Sequence, residues 1–133
     1  MSALHIPLPP YAVNMGIELD HLEGHIPILG CDFSTRVLGR PGHFHGGALG
    51  GLLEMAALAA AREELALRGA VPRLKPVNIS VQYMRGAIDV RCFARGHVER
   101  AGRRLLNVSA VAWQDSPDRP VATAWLNVMI APD

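Results

Sequence analysis

Between His45 and Arg62 the only ionisable residue is Glu54, and the remaining positions are Gly, Ala, Leu and Met with no proline among them. The run 46–68 is rich in strong helix formers, and Gly69 follows with Arg68 in the last turn and Pro72 just beyond, which is how a helix stops. The spacing therefore predicts one long helix, apolar on every face over most of its length. Such a helix has to be buried on every face. In 133 residues, the length of one domain, the way to bury it is to curl a long sheet around it. Arg62, Glu63 and Glu64 are expected to emerge at the exposed far end.

The rest of the chain supplies the sheet. After Pro76 apolar residues recur with period two: Val77, Ile79, Val81 and Tyr83, then Ile88, Val90, Cys92 and Ala94, then Leu106, Val108, Ala110 and Ala112, then Ala122, Ala124, Leu126, Val128 and Ile130. These read as four strands. Turn residues at Arg85-Gly86-Ala87, Ala101-Gly102 and Ser116-Pro117-Asp118 are short enough to join antiparallel neighbours. Residues 15–37 read as one or two strands, broken around Glu23-Gly24 and Pro27. Ahead of them, Pro7, Pro9 and Pro10 exclude regular helix or central strand over 1–11. Residues 1–14 are taken as an N-terminal arm of a single 1–133 domain. The fold class expected is α+β, a long antiparallel sheet wrapped around one central buried helix.

Composition narrows the function. Thirteen basic and twelve acidic side chains leave a formal charge of +1, no field to attract nucleic acid or an anionic membrane. No run reaches the roughly 18 uninterrupted apolar residues of a spanning helix, and the N-terminus lacks the pattern of a secretion signal. Cys31 and Cys92 show neither disulfide-framework nor zinc spacing, so a reducing, cytoplasmic setting is expected. Acidic residues Glu18, Asp20, Glu23 and Asp32 crowd the start, and arginines crowd 85–104, which keeps a local anion site open. Arg91 and Arg95 alternate with Asp89, His97 and Glu99 as a solvated strand face does, leaving Arg85 as the ligand candidate. His43 and His45 are too few to hold a metal. His5, His21, His25 and His97 are scattered and read as exposed or satisfied.

Glu54 stands alone in an apolar helix, where an unpaired carboxylate costs several kcal/mol. Its helical neighbours Gly47, Gly50, Gly51, Ala57, Leu58 and Ala61 make a face of mostly small side chains onto which a ligand or another backbone fits. The alternative is an ordinary structural ion pair with a strand arginine. The helix start, His43-Phe44-His45-Gly46-Gly47, exposes free N–H groups that suit an anion or a developing oxyanion; the plainer reading of its glycines is a tight turn. Gly46 and Glu54 are eight residues apart, about 12 Å along a helix, too far for both to reach one carbon atom. A second chain has to complete such a site.

The segment His45-Gly46-Gly47-Ala48-Leu49-Gly50-Gly51-Leu52-Leu53-Glu54 resembles the HGG(x)6(D/E) signature of hotdog-fold thioesterases of the 4-hydroxybenzoyl-CoA thioesterase superfamily, particularly the phenylacetate-pathway type. Val77-Asn78-Ile79-Ser80-Val81-Gln82-Tyr83-Met84-Arg85-Gly86-Ala87 is similar to the strand that usually ends in Tyr-Leu-Arg-Pro-Ala there, and the similarity runs from about Met15 onward. The resemblance implies hydrolysis of an acyl-CoA thioester, with Glu54 as general base or nucleophile, the Gly46 N–H as oxyanion donor and His45 shaping the helix start. Gly47, Leu58, Met84 and Arg85 would bind substrate. It also implies a homodimer, with a dimer of dimers as the larger form, and no cofactor beyond the CoA of the substrate. The chain departs from the pattern at Gly39, where relatives often carry Asn or Gln, with His43 a candidate substitute, and at Leu58, where many carry Ser or Thr. The rival functions are a catalytically weak acyl-CoA-binding protein and an enoyl-CoA hydratase or dehydratase.

Overall fold

A computed structural model describes residues 7–69 and 73–131, which leaves His5 and Pro72 outside the described residues. The elements are α1 (Pro10–Met15), β1 (Ile17–Glu23), β2 (Ile26–Cys31), α2 (Gly46–Leu67), β3 (Arg73–Tyr83), β4 (Cys92–Ala101), β5 (Leu105–Trp113) and β6 (Ala122–Ala131). The strands form one sheet in the order β1-β2-β4-β5-β6-β3, with every pairing antiparallel.

The long helix runs where its composition requires, and the sheet curls about it. Leu52, Leu53, Ala56, Ala57 and Ala61 are sealed from solvent against Leu29, Cys92, Ala94, Val108, Ala112, Ala124 and Val128. The two come very close at Gly96 of β4: a Cβ there would lie 2.7 Å from both the Ala56 carbonyl oxygen and the Ala57 Cα. Alanines on the helix and a glycine on the strand let the two backbones meet.

Four expectations need correction. Residues 10–15 form a short helix, because Pro10 stands at its first position, where no backbone donor is needed; Gly16, at φ 76°, ends it. Pro27 lies inside β2, opposite Leu22, and is tolerated because pairing with β4 begins only at Ile28. Ile88 and Val90 are not strand residues: the Gln114 side chain accepts from the Ile88 N–H and donates to the Ile88 and Val90 carbonyls, taking the bonds a neighbouring strand would take. Finally, β3 is no neighbour of β4. It pairs with β6 at the far edge, so residues 84–91 are a crossover and not a hairpin turn.

The basic stretch is not a free solvated face. Arg91 reaches Glu18 and Asp20 of β1 and Asp32 beyond β2, crossing Gly30, where a Cβ would collide with its guanidinium. Arg95 pairs with Glu23 and lies over the Trp113 ring. The acidic start and two of the later arginines thus satisfy each other.

Candidate active site

The start of α2 is held from several sides. His45 takes the N-cap position, and its Nδ1 accepts the Gly47 N–H at 2.8 Å. Its backbone carbonyl accepts from Ala48 at 3.0 Å and Leu49 at 3.2 Å. That leaves the Gly46 N–H without a hydrogen bond among the described residues. Two bonds into the His45 carbonyl polarise the same peptide unit that carries this N–H and strengthen it as a donor. Tyr83, at the end of β3, lies over Gly46: its hydroxyl donates to the Gly46 carbonyl at 2.9 Å, and a Cβ on Gly46 would touch the ring at 3.4 Å.

Two separate clefts flank this helix. One, of about 270 Å³, is lined by Gly46, His43, Tyr83, Met84 and Arg85 among others. The second, of about 500 Å³, is lined by Gly47, Gly51, Glu54, Leu58, Arg62 and Tyr11, with Leu74 and Pro76 of β3 as a wall. The predicted residues therefore divide. Gly46, Met84 and Arg85 share one cleft, Glu54, Gly47 and Leu58 the other, and His45 stands exposed at the helix cap. Glu54 is half-buried and takes part in no hydrogen bond or ion pair among the described residues, so the structural ion pair with a strand arginine is absent there.

Gly39 has a steric reason. A Cβ there would come within 2.8 Å of the His45 Cα and 3.0 Å of its nitrogen, and the Gly39 N–H is bonded to the His43 carbonyl. The loop that sets up the helix start leaves no space for a longer side chain at this position. His43 does reach the Gly46 cleft, with its Nδ1 3.0 Å from the Pro41 carbonyl. With Nδ1–H donating there, the neutral ring presents an acceptor at Nε2 and polarises a carbonyl only as the cation.

Three residues of these clefts escape sequence reasoning. Tyr83 was visible only as one apolar member of a strand, although it ends the motif-like segment 77–87. Tyr11 falls among the prolines of the supposed arm, yet it packs over Gly51, where a Cβ would collide with its hydroxyl. Burial, then the Glu54 carboxylate, then Cys31 push the Tyr11 phenol above its ordinary pKa, so it stays protonated beside Glu54. Arg62 and Glu63 correct the expected exposed helix end: Arg62 is half-buried in the Glu54 cleft and Glu63 is 2% exposed. Among the described residues no three His, Cys, Asp or Glu side chains gather as a metal site.

An antiparallel sheet wrapped around one long buried helix is the hotdog-type fold of thioesterases. The chain belongs to the family described as the acyl-CoA thioesterase N-terminal domain, whose model matches residues 38–128; it is a hydrolase acting on thioesters. Among solved structures it is similar to a phenylacetic acid degradation-related protein from Ralstonia eutropha, at 25% identity and TM-score 0.74, covering 94% of this chain and 92% of that one. It is also similar in fold to a mutant of the phenylacetic acid degradation protein PaaI from Thermus thermophilus, at 20% identity and TM-score 0.77, over 92% and 100% of the two chains. AziG of S. sahachiroi superposes with TM-score 0.80 at 19% identity, over 96% and 100%. No curated protein matches.

Proposed function

We propose that the thioester is an acyl-CoA and that it is hydrolysed at sites shared between two copies of the chain, Glu54 coming from one and the Gly46 N–H from the other. The observation that carries this reading is the separation of the two groups: they lie on one helix about 12 Å apart, in different clefts. One thioester carbon cannot meet both within a protomer. Two α2 helices set antiparallel about a two-fold axis would join the Gly46 cleft of one copy to the Glu54 cleft of the other. The outer edge of β3, unpaired among the described residues, supports such an approach.

In this arrangement the thioester oxygen accepts from the Gly46 N–H, whose strength as a donor grows as negative charge builds on that oxygen. As general base, Glu54 takes a proton from a water molecule that attacks the carbonyl carbon; as nucleophile, it attacks directly, and water then cleaves the mixed anhydride. Either way the C–S bond breaks, and one water yields a free acid and the CoA thiol. His45 holds the helix start, Gly47 and Leu58 border the acyl group, and Met84 and Arg85 border the CoA side. No cofactor enters these steps beyond the CoA carried by the substrate.

A thiol-trapping assay across short, medium, long and aromatic acyl-CoAs tests this reading. Thiol release is expected with medium-chain or aromatic substrates ahead of very long ones, given a cleft of about 500 Å³. Tight binding with no thiol above the enzyme-free rate would sink it, and so would full turnover by a monomer in sedimentation.

A further inference from the structure

The Glu54 cleft holds a second charged group that hydrolysis does not use. Arg62 lines the same cavity as Glu54 and Leu58, eight residues and about 12 Å along the helix from Glu54, and among the described residues it has no hydrogen bond and no ion pair. Burial lowers its pKa from the ordinary arginine value, although an arginine stays charged. The cavity between the two charges is walled by Met55, Leu58, Leu74 and Pro76. A cation that makes no ion pair among the described residues, at the end of a largely apolar passage, attracts an anion to that end, and the planar guanidinium fork fits a carboxylate with two parallel hydrogen bonds.

On the reading that Glu54 acts on the thioester, we propose that Arg62 selects acyl groups carrying a carboxylate at the end remote from the sulfur, so that the substrates are ω-carboxyacyl thioesters. The length follows from the helix. Both side chains lean toward the N-terminus, and arginine reaches further back than glutamate, so the carboxylate and guanidinium stand closer than about 12 Å. Allowing about 3 Å of hydrogen-bond contact at each end leaves at most about 6 Å, or about five bonds at about 1.2 Å each, so the acyl group has about four to six carbons. The phosphates of CoA are poorly placed for the same role. They lie beyond the pantetheine arm, about 15 Å from the sulfur when extended at about 1.2 Å per bond, and they are common to every acyl-CoA.

The test is a matched pair of six-carbon substrates, adipyl-CoA and hexanoyl-CoA, followed by thiol release. The wild-type chain should prefer adipyl-CoA by at least about tenfold in kcat/KM. Arg62→Met should abolish that preference mainly by weakening adipyl-CoA, and Arg62→Lys should restore part of it. Equal or better hydrolysis of hexanoyl-CoA by the wild type overturns the proposal without needing any variant. Arg62→Met lowering both substrates alike also overturns it, pointing to a CoA phosphate or to folding, and loss of the dimer in that variant would assign Arg62 to a carboxylate of the second copy. Thiol release from hexanoyl-CoA with no preference leaves thioester hydrolysis standing and removes only the selectivity. Release from neither substrate, nor from any other acyl-CoA, removes both.

Discussion

Replacing Glu54 by Gln keeps the shape of the side chain and takes away its basicity. The Glu54 carboxylate has no ion pair to lose among the described residues, so the variant should melt close to the wild type while kcat falls roughly a hundredfold to ten-thousandfold, with KM moving less. Unfolding of the variant in a thermal scan would instead make Glu54 structural. Tyr83→Phe keeps the ring over Gly46 and deletes the bond to its carbonyl; steady-state kinetics should show kcat reduced about fivefold to tenfold, the equivalent of one hydrogen bond of about 1 kcal/mol. Cys92 gives a different check. It stands directly opposite Cys31 in the β2–β4 pair, both thiols are free, and burial, aided by Cys31, pushes Cys92 up to about 12. A thiol reagent near neutral pH should therefore leave it unmodified until the protein is denatured. As candidate site residues, Glu54 and Gly46 stand out at this scale because each is conspicuous in its own stretch of chain. Arg62 does not, since its position next to Glu63 and Glu64 looks like the polar end of any helix, and only Leu74 and Pro76 of β3 turn that end into a cleft.

At the scale of elements, the tightest constraint is the contact of α2 with β4. Gly96→Ala would drive a methyl group into helix backbone, which cannot rotate aside as a side chain could. The cost should be about 3 kcal/mol, seen as a loss on the order of 10 °C in Tm. The helix could be read from sequence since its signals are local: composition, the lack of proline and a stop at Gly69. The β4–β5 and β5–β6 pairs were equally local, each joining consecutive strands of clear alternation, through a short turn at 102–104 and a longer one at 114–121. The passage from β3 to β4 defeated the same reasoning. Its glycine and its alternating Ile88 and Val90 look like a hairpin, but the backbone of that stretch is bonded to Gln114, a residue beyond β5 that no pattern in 84–91 could announce. Likewise α1 was hidden by prolines, one of which occupies the single helical site where proline fits.

Over the whole molecule, Arg91 links the β1–β2 hairpin to β4 through Glu18, Asp20 and Asp32. Hydrogen bonding from His21, against an opposing effect of burial and together with Arg91, holds the Asp20 carboxyl below its ordinary pKa. A depressed carboxylate stabilises the fold above its unfolded pKa of about 3.9, and that stability is lost as pH falls through the lower folded value. Thermal melts should therefore fall off below about pH 4, and Arg91→Ala should flatten that acid limb while lowering Tm at neutral pH by a few degrees, about 1 kcal/mol for a partly exposed network. An acid limb unchanged by the substitution would exclude this contribution. The position of β3 matters for time as well as for shape. Its pairing runs from Arg73 with Ala131 to Tyr83 with Ala122, so Tyr83 can be fixed over Gly46 only after the last strand has docked. Contacts this distant in sequence form slowly. During refolding, the hairpins of β4, β5 and β6 have shorter loops to close, whereas the Gly46 end of α2 gains its tyrosine prop late; recovery of turnover should lag behind recovery of β structure, and a chain shortened before β6 should be inert although none of the proposed site residues lies on β6.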